Sequence, residues 1–197
     1  MSPSLFRYDG SVTRRQMLLG LGTTVAASFL TTRAGATIAR AIPLEVLAQR
    51  SEHILVGTPL ESTCRFEDIG GKRRIVTDTR FAVEDPLAKS APDASEVIVR
   101  TLGGVIGDLG ELVHGEAELV LGERSVLFLR LRPDAIHQPT GMAQGHYPLY
   151  PDVKRVERLH PSPRIPELVQ PERSAVRRLR GLDLDQARRL IREALAR

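Results

Sequence analysis

Between Ser51 and Leu131 apolar and polar residues recur with a period of two, and no run at helical spacing intervenes. That pattern restricts the fold more than any other feature, because alternation over four to eight residues is the signature of a half-buried strand. Ile54, Leu55 and Val56 stand before Gly57-Thr58-Pro59 and predict a strand over Ser51–Leu60, closed by breakers. Ile69-Gly70-Gly71-Lys72 reads as a hairpin turn between arms at 62–68 and 73–83. In the second arm Ile75, Thr77, Thr79, Phe81 and Val83 share one face, with Val76, Asp78, Arg80 and Ala82 on the other. A further strand is expected over Glu96–Leu102, where Val97, Val99 and Thr101 alternate against Ile98 and Arg100 before Gly103-Gly104. A short one is expected near Leu112–Glu116, and a strongly apolar one at Ser125–Leu131. Successive strands without intervening helices predict a mainly all-β fold, a small antiparallel OB-like barrel or a sandwich, rather than an α/β sheet.

The flanks obey other rules. A short helix is expected over Ile42–Arg50, with Pro43 at its first position. Eight of the 39 residues from 133 to 171 are proline, a density that continues neither helix nor central strand. Gly145-His146-Tyr147-Pro148-Leu149-Tyr150 lies within it and suggests an edge strand or an arm packed on the barrel. Near the end, Asp183 and Gln186 form a capping-box pattern. After it, Leu184, Ala187, Leu190, Ile191, Ala194 and Leu195 recur at helical spacing opposite Arg188, Arg189 and Arg192, which predicts an amphipathic helix.

The first 36 residues read as a signal. Thr13-Arg14-Arg15-Gln16-Met17-Leu18 precedes an apolar run from Met17 to Leu30, which is 14 residues against the roughly 20 a membrane-spanning helix needs. Arg14 and Arg15, between Thr13 and the apolar Met17 and Leu18, resemble the bacterial twin-arginine export signal. Gly20, Gly22, Thr23, Thr24 and Ser28 dilute the apolar core, and Arg33 follows it, both in keeping with that resemblance. Ala34-Gly35-Ala36 supplies the small-x-small cleavage pattern, with Ala39-Arg40-Ala41 as a second candidate. The expected layout is a signal peptide at 1–36, a β-barrel domain with its short helix at 37–132, a proline-rich arm at 133–171 and a C-terminal helix at 172–197. The resemblance implies a periplasmic or secreted protein without a permanent membrane span, whose partners during export are the twin-arginine translocase and signal peptidase.

Charge changes meaning once the signal is set aside. The whole chain is +4, but Arg7, Arg14, Arg15 and Arg33 against Asp9 account for +3 of it. Residues 37–151 hold 12 basic and 16 acidic side chains, and residues 152–197 hold 12 and 7, so an acidic body carries a basic tail. With aromatics at 4% and no Trp, stacking platforms for bases have little material, and nucleic acid is not an expected partner.

Chemistry-bearing patterns are few. Gly103-Gly104-Val105-Ile106-Gly107-Asp108-Leu109-Gly110 looks like a phosphate loop until Glu111, where Lys-Ser or Lys-Thr is required; a bend or bulge in a strand is the expected role. His53, His114, His137, His146 and His160 are scattered, with no i,i+2 or i,i+4 pair. A metal site would need His114, His137 and His146 to converge with Asp108 or Glu116. Cys64 is the sole cysteine, which excludes an intrachain disulfide; a small packing residue is its expected role, a reactive thiol the alternative. No Gly-x-Ser-x-Gly elbow or His-Glu-x-x-His helix occurs, so hydrolase chemistry has no local support. Arg173, Arg177, Arg178, Arg180, Arg188, Arg189 and Arg192 are expected on solvated faces, with binding of phosphate or an acidic partner as the alternative.

The run Ala48-Gln49-Arg50-Ser51-Glu52-His53-Ile54-Leu55-Val56-Gly57, then Thr77 to Asp85, Val97 to Gly104 and Gly122-Glu123-Arg124-Ser125-Val126-Leu127-Phe128-Leu129, resembles a group of uncharacterised exported bacterial proteins. Ala143-Gln144-Gly145-His146-Tyr147 is similar to a later strand of theirs. More distantly, the order is similar to the netrin and tissue-inhibitor-of-metalloproteinase module, an OB-type barrel with a helix against it. That similarity implies binding or inhibition without catalysis. The inhibitors chelate a protease metal through an N-terminal cysteine, whereas the expected mature terminus here is Thr37. The expected function is therefore an exported, non-catalytic binding or interaction protein with a partner in the envelope. A metal- or cofactor-dependent periplasmic enzyme and a structural envelope protein are the alternatives. No catalytic, cofactor or metal residue is assigned beyond the export residues Arg14, Arg15, Ala34 and Ala36.

Overall fold

The computed structural model describes residues 38–90 and 92–196. Strand β1 (Ile38–Arg40) leads into helix α1 (Leu44–Arg50). Pro43 is the N-cap with extended backbone, so the helix begins after it rather than around it. The cause is tertiary: the Ile42 N–H donates to Gln144 and its carbonyl accepts from Ala175, which holds Ile42 outside the helix.

Two long strands follow, β2 (His53–Ile69) and β3 (Lys72–Ala88), joined by the expected Gly70-Gly71 turn. The expected stop at Gly57-Thr58-Pro59 is a correction. β2 runs straight through it and absorbs the breakers as register shifts at Val56/Gly57 and Pro59/Glu61. Gly57 is required there, since a Cβ would overlap the Ala82 carbonyl and lie 2.6 Å from the Phe81 ring. Strand β4 (Glu96–Leu102) has the expected bounds. The short strand expected at Leu112–Glu116 is instead a small hairpin just upstream, β5 (Gly104–Ile106) and β6 (Leu109–Glu111). Next come β7 (Ser125–Leu131), β8 (His137–Pro139), β9 (His146–Pro151), β10 (Glu157–Leu159) and β11 (Glu167–Val169). The chain ends in α2 (Ala175–Leu179) and α3 (Leu184–Leu195), the latter started by the full Asp183/Gln186 capping box.

The main sheet has the order β10-β9-β7-β2-β3-β4-β8, and β8 also pairs with β7, so five strands form a closed ring. In order of appearance the ring reads first, second, third, fifth, fourth, a five-stranded Greek-key barrel of OB type. The expected antiparallel arrangement is corrected at one joint: β4 and β8 are parallel, through the single pair Val99 and His137. Along one edge of β7, β8 covers Leu129–Leu131 and β9 covers Ser125–Leu127. The proline-rich segment thus supplies both the closing strand and the extension of the sheet.

Which strands read as continuous apolar runs follows from this layout. Ile54-Leu55-Val56 and Val126-Leu127-Phe128-Leu129 are buried on both faces. One face, with Leu55, Leu127 and Leu129, meets Phe81, Val97 and Val99 inside the barrel. The other, with Ile54, Val56, Val126 and Phe128, meets Tyr147 and Leu149 and the three helices through Leu44, Leu47, Val176, Leu179 and Ile191. Only the end of β3, at Leu87 and Ala88, packs under the helices; the rest of β3 alternates, as β4 does beside it. Their outer face is charged: Arg100, 1% exposed, holds Asp78 with two hydrogen bonds of 2.6 and 2.8 Å and reaches Glu67 and Asp134.

Candidate functional site

The barrel interior changes character along its length. At one end Phe81 and Val97 pair across β3 and β4; one step on Thr79 faces Val99, and one step further Thr77 faces Thr101. The interior thus grades from hydrocarbon to hydroxyl, and the hydroxyl end opens into a cavity of about 150 Å³. Thr77, Thr79 and Thr101 line it from the strands, Gly103 and Gly104 from the junction of β4 and β5, Ala117, Glu118 and Leu119 from the segment after β6, and Arg164 from the proline-rich chain.

Glycine at 104 makes this end possible. Its φ is +134°, and a Cβ would lie 2.6 Å from both Cys64 Sγ and Thr77 Oγ1. Thr77 Oγ1 donates to the Gly103 carbonyl at 2.7 Å and contacts Cys64 Sγ at 3.3 Å. Because the Thr77 proton is committed to Gly103, the thiol is the donor in that second contact. Thr79 shares a 2.9 Å hydrogen bond with Ser62. Thr101 differs: only 7% of the residue is exposed, and among the described residues its hydroxyl has no hydrogen-bond partner. Arg164 grips Glu118 through two 2.8 Å bonds at the rim.

Behind the wall lies Glu116, a buried carboxyl that accepts from the N–H groups of Leu102 at 3.1 Å and Ala117 at 3.0 Å. Burial pushes its pKa up, against the pull of those two hydrogen bonds and the nearby Arg130. Glu116 anchors the segment carrying Ala117 and Glu118 to the end of β4.

The residues singled out in the sequence fall in several places. The glycine run is a bend and a hairpin, with Gly103 and Gly104 at the cavity and Gly107 in the β5–β6 turn. The histidines do not converge on one centre. His146 is buried with Nδ1 against Ser162 Oγ at 3.1 Å, and burial lowers its pKa to about 4. His137 sits at the barrel joint with its ring 5.3 Å from that of His53, and neither ring nitrogen has a hydrogen bond of ordinary geometry. Burial first, and His53 second, push its pKa down. Among the described residues no group of three or more His, Cys, Asp or Glu side chains is placed to hold a metal ion. Cys64 is half-buried beside the cavity's threonines.

Of the seven tail arginines expected on solvated faces, two are corrected: Arg178 pairs with Glu45 of α1 and Arg188 with Asp85 of β3. The export residues Arg14, Arg15, Ala34 and Ala36 lie outside the described residues. No helix among the described residues is long and apolar enough to cross a membrane. Sequence reasoning missed the cavity, although threonines at 77, 79 and 101, on a face otherwise filled by Phe81, Val97 and Val99, were its trace. No family model matches the chain, and no curated protein or solved structure matches it either.

Proposed function

We propose that the protein is an exported, non-catalytic binding module that seats its ligand at the hydroxyl-lined end of the barrel. The observation that carries this reading is the cavity at the hydroxyl end of the barrel, lined by Thr77, Thr79 and Thr101, where the Thr101 hydroxyl has no protein hydrogen bond among the described residues. A small depression with an apolar side and a hydroxyl that no protein group engages has the make-up of a ligand seat. The charged outer face supports no such role, because its carboxylates and guanidinium groups answer one another.

Export is supported by the order of Arg14-Arg15, the apolar core and the small-residue pattern. Of the two cleavage patterns, Ala39-Arg40-Ala41 belongs to the folded part. β1 pairs with β11, the Ala41 N–H donates to Val169, and Gln144 bonds both the Arg40 carbonyl and the Ile42 N–H. Cutting after Ala41 would strip β1 and leave the buried Gln144 short of partners. This pairing supports the cleavage pattern at Ala34-Gly35-Ala36 over the one at Ala39-Arg40-Ala41. N-terminal sequencing of protein recovered from the periplasm is expected to begin at Thr37; a start at Ile42 would overturn the choice of cleavage site, and uncut protein in the cytoplasm would overturn the export reading. For the site, a fragment screen by heteronuclear NMR is expected to move the Thr77, Thr101, Gly103 and Gly104 signals, and hits confined to other surfaces would sink it.

A further inference from the structure

The five joints of the barrel are not equally strong. β8 stays with β7 through the register Leu129–Leu131 and through a turn closed by the Arg132 N–H on the Ile136 carbonyl at 2.9 Å. Its far end is anchored as well: the Thr140 N–H donates to the Phe128 carbonyl at 2.7 Å, and the Thr140 hydroxyl lies 2.9 Å from that of Ser51. Against β4, by contrast, β8 pairs only at Val99 and His137. The ion pair of Arg100 with Asp134, at 3.1 Å, also spans this joint from the turn ahead of β8. The barrel is thus closed most weakly between β4 and β8.

Two imidazoles meet at that point. His137 is paired with Val99 and His53 with Leu129, both residues of the barrel interior, so both rings face inward, and their centres are 5.3 Å apart. His137 is 7% exposed, and neither of its nitrogens has a hydrogen bond of ordinary geometry. His53 is half-buried, and its Nδ1–H donates to the Ser90 carbonyl at 2.9 Å. The charged groups of the surrounding elements are Glu52 beside His53, Lys89 ahead of Ser90, Arg100 on β4, Arg130 on β7, and Arg132 and Asp134 in the turn before β8. Most are engaged elsewhere: Lys89 with the Gln49 and Ser51 carbonyls, Arg100 with Asp78, Glu67 and Asp134, Arg130 with Gln138, and Arg132 with Glu67 and Asp134. The turn Met142–Gly145, which also packs on β8, carries no charge. Burial first, and His53 second, disfavour a proton on His137 and outweigh the opposite pull of the Ile98 carbonyl and Glu52. A neutral pair of rings packs quietly here, whereas a proton places a cation in an apolar interior beside the second ring.

We propose that the joint between β4 and β8 is a pH-operated latch, closed while His53 and His137 are neutral and released from β4 when acid charges them, with β8 remaining on β7. The sign follows from linkage. In the open joint His137 meets water and takes its proton near the ordinary histidine value of about 6.5, whereas the closed joint resists it. Opening therefore takes up a proton, and its equilibrium constant rises by up to about tenfold per pH unit below about 6.5. Carboxylates ordinarily titrate near 3.9, so the Arg100–Asp134 tie is unchanged over this range.

The test is amide hydrogen exchange of the whole chain by heteronuclear NMR, read as protection factors corrected for the intrinsic effect of pH on exchange. Among residues 98–100 and 136–138, the amides that the joint protects are expected to lose about tenfold in protection between about pH 6.5 and 5.5. That loss should depend little on low concentrations of urea, the mark of a local opening, whereas amides of the β2–β3 ladder exchange only through unfolding that urea promotes. His137→Phe keeps a buried ring that takes no proton and is expected to abolish the pH dependence at the joint. His53→Gln removes only the second imidazole and is expected to reduce it, with circular dichroism confirming that both variants fold. If His137→Phe does not fold, His53→Gln decides, and an unaltered pH dependence there overturns the paired latch. Protection at the joint that stays flat across pH, or a fall that survives in His137→Phe, would also overturn it. So would a fall that follows urea as steeply as the β2–β3 ladder does, because acid would then be unfolding the whole domain.

Discussion

Replacing Arg100 by Met should cost about 3 kcal/mol of folding stability, and the structure sets that figure. The guanidinium is 1% exposed and makes four contacts: two with Asp78 at 2.6 and 2.8 Å, one with Glu67 at 2.8 Å and one with Asp134 at 3.1 Å. Removing one partner from a buried ion pair costs about 3–5 kcal/mol, because charges taken out of water lose their compensation. The lower end applies here. Asp78 keeps Arg65 at 3.1 Å, Glu67 keeps Arg65 at 2.6 Å, and Asp134 is well exposed. For a domain of this size the loss corresponds to a fall in melting temperature of roughly 6–12 °C.

The assay is urea unfolding at pH 7 followed by circular dichroism, with an unchanged slope expected. Its pH dependence has a definite sign. Burial alone would raise the Asp78 carboxyl, but hydrogen bonds from Arg100 and Arg65 outweigh it and hold the pKa below the usual range. A depressed carboxylate stabilises the fold above its unfolded pKa of about 3.9 and loses that contribution as pH falls through the folded value. The gap between wild type and Arg100→Met should therefore be full at pH 7 and narrow below about pH 4. A variant within 1 kcal/mol of wild type at pH 7, or a gap that widens in acid, would refute the network as a stabilising element.

Three further outcomes can be measured on the same protein. His146, with its pKa lowered to about 4 by burial, is neutral in the fold but protonates near 6.5 once unfolded. Its contribution is full above pH 6.5 and lost as pH falls, so stability should drop by about 2 kcal/mol between pH 7 and 5, a slope that His146→Gln should flatten in urea titrations. Gly57→Ala forces a methyl into the Ala82 carbonyl and the Phe81 ring, and the expected loss of at least about 3 kcal/mol would show as little soluble folded protein. Asp183→Ala removes the side chain that accepts from the Gln186 N–H at the start of α3, and should cost about 1 kcal/mol by thermal melting.

How far the sequence could be read depended on whether the deciding contact was local. The bounds of β4 and β7 and the capping box of α3 follow from neighbours in the chain, and each was legible. The passage of β2 through Gly57 and Pro59 was not, because the bulges there are fixed by β3 across the ladder. β1, β8, β11 and α2 span three to five residues each, too few for a period to declare itself. Arg100 was assigned to the right face, but its near-complete burial there was not legible. Its burial comes from Glu67 and Asp134, more than thirty residues away on either side. At the cavity, period two put Thr77, Thr79 and Thr101 inward, but the glycine turn beside them read only as a bend. The cradle arises where β2, β3 and the 117–119 segment meet.

The division of charge along the chain takes on a different sense in three dimensions. A basic tail of net +5 behind a body of net −4 suggests a surface held out for acidic partners. Yet Arg158 turns to Asp152 and Asp183, Arg164 to Glu118, Arg178 to Glu45 and Arg188 to Asp85. Three of these join the tail to acidic residues of the body, at the cavity rim, at α1 and at β3. Much of the asymmetry is thus internal complementarity, which helps dock α2 and α3 on the barrel beside their apolar contacts. Surface pairs of this kind contribute about 0–1 kcal/mol each, so the apolar faces of the helices supply the attachment and the arginines fix its register. The same pairing joins Arg164 to the cavity. By tying the proline-rich chain to Glu118, it gives the one cation of the lining a partner at the cavity rim.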